Sequence, residues 1–158
     1  KIHVNSQDAL DAMNDIVWAI NTKNDDLHQL LNRIRNDAYQ LAEGKGFILQ
    51  ITDNTKVQNC KLEINQRKNI YLLLKEAVHN AAKYAQCHVL RIDVTYHKSI
   101  LTIIITDDGI GFELNKPGKS SGGNGLYNMR RRAEELKGNF DIQTAPSKGT
   151  LIRFSTRL

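Results

Sequence analysis

The sequence predicts an α+β fold: a two-layer sandwich with a mixed, largely antiparallel sheet covered by helices on one face. Two observations carry this. Helical and strand-like periodicities come in blocks rather than as alternating strand-helix-strand units, which argues against a doubly wound parallel sheet. The segment with clean period-two alternation, Val89–His97, is followed at hairpin distance by an almost wholly apolar run. The chain has 158 residues, 41% hydrophobic and 25% charged, the composition of one soluble globular domain. A chain of this length buries about two thirds of its extended surface and needs no metal or disulfide framework.

Residues 8–20 carry Leu10, Met13, Ile16, Val17 and Ile20 at three-and-four spacing. That spacing predicts a helix with this stripe buried and Ser6 as its N-cap. A second helix fits residues 25–43, with Leu27, Leu30, Leu31, Ile34 and Leu41 inward and Gly44-Lys45-Gly46 as its stop. Short strands fit residues 47–52 and 61–64, around a polar turn at Asp53-Asn54-Thr55. A third helix, residues 66–85, gathers Leu74, Ala77, Val78, Ala81 and Ala85 on one side. Glu76, Asn80 and Lys83 gather on the other, within about 60° of one another at about 100° per residue. Read alone, that stripe is a solvated helix face with an i, i+4 pair as readily as a site.

In Val89–His97, Leu90, Ile92, Val94 and Tyr96 alternate with Arg91, Asp93 and Thr95, so one face is buried and one wet. Residues 101–106 are apolar almost throughout and predict a central strand. Lys98-Ser99 suits a tight hairpin between them, although it lacks the Gly or Asn of the usual two-residue turn. Residues 113–124 have the composition of a mobile loop. A fourth helix fits residues 126–136, ended by Lys137-Gly138, and strands at 140–144 and 150–156 form a last hairpin.

Lys and Arg total 22 against 17 Asp and Glu, a net charge of +5 that favours anionic partners without choosing among them. Cys60 and Cys87 have no C-x-x-C spacing and read as small hydrophobes in a reducing cytosol. The longest apolar run, residues 100–105, is far short of the roughly 18 residues of a membrane span.

Asp107-Asp108-Gly109-Ile110-Gly111-Phe112 closes the central strand, and its two glycines either make a tight turn or let backbone approach a flat ligand. Leu114 stands where a dinucleotide fingerprint needs its third glycine, so that reading fails. Gly123 and Gly125 at the entry of the fourth helix suit either an ordinary glycine-rich start or a phosphate site. Lys148-Gly149-Thr150 reads alone as a hairpin turn.

Taken in order, Glu76-x3-Asn80-x2-Lys83-Tyr84, Asp107-x-Gly109-x-Gly111, Gly123-x-Gly125-Leu126 and Gly149-Thr150 resemble one pattern. It is the N-box, two glycine boxes and closing Gly-Thr of the ATP-binding (Bergerat-fold) domain of sensor histidine kinases, gyrase-type topoisomerases, MutL-type repair proteins and anti-sigma kinases. The resemblance covers about residues 45–158. The run from Gly125 to Glu134, with Met129 and Arg130-Arg131-Arg132, looks like the short-lid sensor kinases that signal to DNA-binding response regulators. Ile16-Val17-Trp18-Ala19-Ile20-Asn21 resembles the segment leaving their dimerisation helices. The expected division is therefore 1–22, the end of a dimerisation helix and linker, and 23–158, the catalytic domain.

The resemblance implies ATP and Mg²⁺ as ligands. Asp107 would accept the adenine amino hydrogens, as an ionised carboxylate does well, with Thr150 supporting that contact. Asn80 would hold Mg²⁺ through its carbonyl oxygen, a hard ligand for a hard ion. Lys83 would offset phosphate charge, and Glu76 would order the magnesium shell rather than remove a proton. Gly109 and Gly111 would admit the base, while Gly123, Gly125 and the first amides at Leu126 would cradle phosphate. The loop at 113–124 would be a lid.

Two departures stand out. Many histidine kinases have Asn where this chain has Glu76, and gyrase-like branches use an acid there as a base. The phosphoacceptor histidine is usually followed by Asp or Glu, and His3, His28, His79, His88 and His97 are not. The acceptor is expected upstream of Lys1. The implied partners are the dimerisation and phosphoacceptor domain of a homodimeric, membrane-anchored parent and a response regulator, with this segment cytoplasmic and touching neither membrane nor nucleic acid. The alternatives are an anti-sigma serine kinase or gyrase-like ATPase of the same fold, and a non-enzymatic nucleic-acid-binding module.

Overall fold

The computed structural model describes residues 2–54, 57, 60–114 and 124–158, with side chains from residue 6 onward. Helices α1 (Ile2–Ile20) and α2 (Leu27–Lys45) flank a single 3-10 turn at Thr22–Asn24. Strand β1 (Ile48–Asp53) precedes α3 (Ile64–Asn80), whose last turn continues as a π turn at Ala81–Ala85. Then come β2 (Val89–His97), β3 (Ile100–Asp107), α4 (Gly125–Glu135), β4 (Asn139–Thr144) and β5 (Thr150–Arg157).

The five strands form one sheet in the order β1-β2-β3-β5-β4. Because α3 carries the chain back across the sheet, β1 and β2 run parallel, while the other three pairings are antiparallel. The mixed, largely antiparallel sandwich is the expected one, and the apolar β3 is its middle strand. Period-two alternation turns Leu90, Ile92, Val94, Leu101, Ile103, Ile105, Ile152 and Phe154 to one face, where all are buried. Against them pack Leu30, Leu31 and Ile34 of α2, Ile70, Leu73, Leu74 and Ala77 of α3, and Met129 and Ala133 of α4. The other face keeps Arg91, Thr95 and Arg153 exposed.

Local chemistry sets most of the boundaries. Asp26 caps α2 by accepting the His28 N–H at 2.7 Å, and Gly46, at φ 77°, closes it with its own N–H on the Ala42 carbonyl. Lys98 and Ser99 both take positive φ, 49° and 63°, so the hairpin makes its left-handed turn without glycine.

Three expectations fail. Residues 61–64 form no strand. Lys61 makes one isolated bridge to Asp26, and Glu63 and Gln66 then close a capping box that starts α3. Ser6 is no cap, because α1 begins at Ile2. The apolar stripe of α1 also faces outward: Leu10, Met13 and Val17 are 54%, 61% and 59% exposed, whereas Asp15 is only 5% exposed.

Asp15 is buried because the body offers it three donors. Its carboxylate accepts the Tyr71 hydroxyl at 2.7 Å, the Arg33 guanidinium at 3.2 Å and the Lys75 ammonium. Burial pushes its pKa up, but Lys75, Tyr71 and Arg33 outweigh that and hold it below the ordinary value. Trp18, one turn on, meets the Tyr71 ring at 5.3 Å with the Arg33 guanidinium over its own face at 4.8 Å. The buried Arg67 donates to the carbonyl of Ala19.

Candidate active site

A cavity of about 240 Å³ opens between α3, α4 and the ends of β3 and β5. Its wall is apolar, with Ala77 and Ala81 from α3 and the π turn, Leu90, Ile105 and Ile152 from the sheet, and Leu126 from α4. One carboxylate, Asp107, stands in it beside the hydroxyl of Thr150, and Asn80 and Tyr84 lie at the α3 side. Such a slot suits a flat, largely apolar ring that brings a polar donor to one end.

The two aspartates that end β3 point different ways. The Asp108 carboxylate accepts the His88 and Val89 N–H groups at 2.7 and 2.9 Å and ties down the start of β2. Asp107 turns inward, where burial raises its pKa while hydrogen bonds from the Gly109 N–H, at 2.9 Å, and from the backbone and hydroxyl of Thr150 pull it back part of the way. It stays above the ordinary value because burial outweighs those bonds. An incoming N–H donor would favour its charged form.

Close packing around this acid explains the glycines. The π turn brings the Ala85 carbonyl to the Ile110 N–H at 2.8 Å, and a Cβ on Gly109 would stand 2.2 Å from that oxygen. Gly111 adopts φ 57°, and a Cβ there would reach the Ala145 carbonyl at 2.1 Å, so the loop packs on the π turn at Gly109 and on the β4-β5 turn at Gly111 because neither position carries a side chain. Sequence reasoning missed Thr144. Its hydroxyl donates to the Gly149 carbonyl at 2.9 Å, accepts the Phe112 N–H at 3.1 Å and lies 3.3 Å from the Thr150 hydroxyl. The available signal was its place opposite Thr150 across the last hairpin.

The polar stripe of the third helix is only partly assembled. Glu76 and Asn80 sit together under the start of α4, where a Cβ on Gly125 would meet Glu76 Oε1 at 2.1 Å and Asn80 Nδ2 at 3.3 Å. Lys83 lies in the π turn, past the point where α-helical arithmetic applies, and is exposed with its ammonium 5.2 Å from the Tyr84 ring. Among the described residues no side-chain cap bond from Asn124 meets α4, and the first-turn amides of a helix attract an anion. Gly123 and most of the expected lid fall outside the described residues.

Among the described residues no three His, Cys, Asp or Glu side chains gather as a metal cage. A hard divalent ion here would rest on Asn80 and on ligand oxygens, the mode Mg²⁺ favours with phosphates. The residues present fit that use.

Residues 65–158 match the family described as histidine kinase-, DNA gyrase B-, and HSP90-like ATPase. The chain is 34% identical over 86 residues to the signal transduction histidine-protein kinase/phosphatase DegS of Brevibacillus brevis, covering 54% of this chain and 22% of that protein. It is 30% identical over 95 residues to the sensor histidine kinase YdfH of Bacillus subtilis, covering 60% and 23%. The chain thus spans less than a quarter of these relatives. Its fold resembles the histidine kinase domain of the Erythrobacter litoralis EL346 blue-light activated histidine kinase, with a TM-score of 0.67 at 18% identity, over 82% of this chain and 61% of that one.

Proposed function

The chain belongs to the histidine kinase-, DNA gyrase B- and HSP90-like ATPase family, and from that premise we propose that it is the ATP-binding catalytic domain of a two-component sensor histidine kinase. It hands the γ-phosphoryl of ATP to a histidine outside these residues, from which a response-regulator aspartate collects it. The observation that carries this reading is the buried Asp107 carboxylate at the end of an apolar slot, its pKa held up by burial so that a ligand N–H donor would favour its charged form. The 6-amino group of adenine is such a donor, and the slot's aliphatic walls suit the two faces of a purine.

In this reading Asp107 and Thr150 select the base, Gly109 and Gly111 let it lie close, and the start of α4 at Gly125 and Leu126 receives phosphate, with Gly123 completing that cradle. Asn80 would hold Mg²⁺ with Glu76 ordering its water, and Lys83, exposed beside the Tyr84 ring, would offset phosphate charge. The ion's role is to neutralise charge on the phosphates, and the chain's role is positioning, which supplies most of the rate in phosphoryl transfer. Residues 1–22 are the end of a dimerisation helix. Its exposed stripe of Leu10, Met13, Ile16, Val17 and Ile20 supports that assignment, since so continuous an apolar face needs a partner. The parent is a membrane-anchored homodimer with this segment on its cytoplasmic side; no helix among the described residues is long and apolar enough to cross a membrane.

Calorimetry of the chain with ATP and Mg²⁺ tests the reading. The wild type should bind, and Asp107→Asn should bind about ten- to a hundredfold more weakly, the size of one hydrogen bond to a charged group. Equal affinity in both, or none in either, would sink the assignment. Steady phosphate release by the chain alone would favour a gyrase-like hydrolase, and transfer to a serine of an added partner an anti-sigma kinase.

A further inference from the structure

We propose that Thr144 is a positioning residue that sets which way the Thr150 hydroxyl points and so tunes the acceptor capacity of Asp107. This inference rests on the reading of Asp107 as the base-recognising group. Asp107, Thr150 and Thr144 form one row across three strands, Asp107 paired with Thr150 and Thr150 with Thr144. Asp107 and Thr150 line the cavity, and Thr144 stands behind them, outside its wall.

Counting protons shows what Thr144 does. An ionised carboxylate offers about four acceptor sites. Asp107 takes the Gly109 N–H at 2.9 Å, and the backbone and hydroxyl of Thr150 draw on the rest of its capacity. A Thr150 hydrogen held on the carboxylate leaves less of that capacity to a ligand amino group. The Thr150 hydrogen has another taker within reach, the Thr144 oxygen at 3.3 Å. Thr144 has committed its own hydrogen to the Gly149 carbonyl at 2.9 Å, so toward Thr150 it can only accept. Its oxygen is held in place by the Phe112 N–H at 3.1 Å. When a ligand donor arrives, the Thr150 hydrogen swings to Thr144. One site on Asp107 is released, and a Thr150 lone pair turns toward the ligand.

Titration of the 158-residue chain with ATP and with purine riboside 5′-triphosphate, which lacks the 6-amino group, tests this. Thr144→Val should weaken ATP about three- to tenfold, the size of one neutral hydrogen bond, and the purine analogue less than about twofold by the same measure. Thr144→Ser should restore ATP binding. In a Thr150→Ala background Thr144→Val should cost ATP nothing further. Equal weakening of both nucleotides, an unchanged ATP affinity, or additivity with Thr150→Ala would each overturn the proposal. Should Thr144→Val not fold, the Thr144→Ala and Thr144→Ser pair carries the same comparison. If Asp107→Asn binds ATP like the wild type, the base reading itself has failed, whatever Thr144 does.

Discussion

Glu76 Oε1 occupies the place beneath Gly125 that a side chain there would claim, 2.1 Å from where its Cβ would lie. Helix α3 and the start of α4 thus touch through a carboxylate and bare backbone, and the size of residue 125 decides whether Glu76 keeps its position.

Gly125→Ala should therefore push Glu76 aside and weaken Mg-ATP binding by about tenfold, while metal-free nucleotide loses less. Shortening the acid should relieve the clash, so Gly125→Ala with Glu76→Asp should bind better than Gly125→Ala alone. Calorimetry with and without Mg²⁺ checks this; a double variant no better than the single one would show that Glu76 is not what the methyl group meets.

Asp15→Asn should loosen α1 from the body. The amide keeps a partner for Tyr71 but leaves Lys75 and Arg33 without their shared anion, at a cost of about 1.5–3 kcal/mol by analogy with other hydrogen bonds to charged groups. Hydrogen exchange should speed up along α1 and hardly change in β3, because the sheet does not lean on that helix. An unchanged exchange pattern would mean that Trp18 and Ala19 suffice to hold α1.

Met13→Lys and Val17→Lys should leave the melting temperature nearly unchanged, within about 0.5 kcal/mol in stability, because both side chains already face water. Thermal melts at several protein concentrations check this, and a loss of several kcal/mol from either change would return the stripe to the core.

The two acids Asp15 and Asp107 should respond to pH with opposite sign. Asp15 is held below 3.8, so its stabilisation is present above that pH and is lost as pH falls through the depressed value. Asp107 is held above 3.8, so the free protein binds an extra proton there and loses stability as pH rises from 3.8 through the raised value. Nucleotide affinity runs the other way, since only the carboxylate accepts the amino group: it should fall as pH drops below the raised pKa. Subtracting the Asp107→Asn profile isolates that step from the titration of the phosphates.

The sheet was legible because each of its strands obeys one period and β3 is apolar on both faces. The glycines were legible as an ordered set, and at Gly109, Gly111 and Gly149 the structure supplies a reason, the nearness of the Ala85, Ala145 and Asp107 carbonyls. The covered face of α1 was not legible. Periodicity shows which side of a helix is apolar, not which side is covered, and Asp15 goes inward because Arg33, Tyr71 and Lys75 meet it from positions 18 to 60 residues away. Lys83 was placed by assuming an α-helix that in fact loosens into a π turn after Asn80. Thr144 escaped because its partners, Phe112 and Gly149, become neighbours only when two loops close on each other.

Trp18 is the sole tryptophan of the chain, and it sits on α1 rather than in the sandwich that holds the cavity. Its tryptophan emission, excited at wavelengths the five tyrosines do not absorb, therefore reports on one event: whether α1 lies between Arg33 and Tyr71 or has come away into water. Changes at the cavity will leave that emission unaltered unless they travel through α3 to that helix. An emission shift on adding nucleotide would thus be direct evidence that the cavity and α1 are coupled.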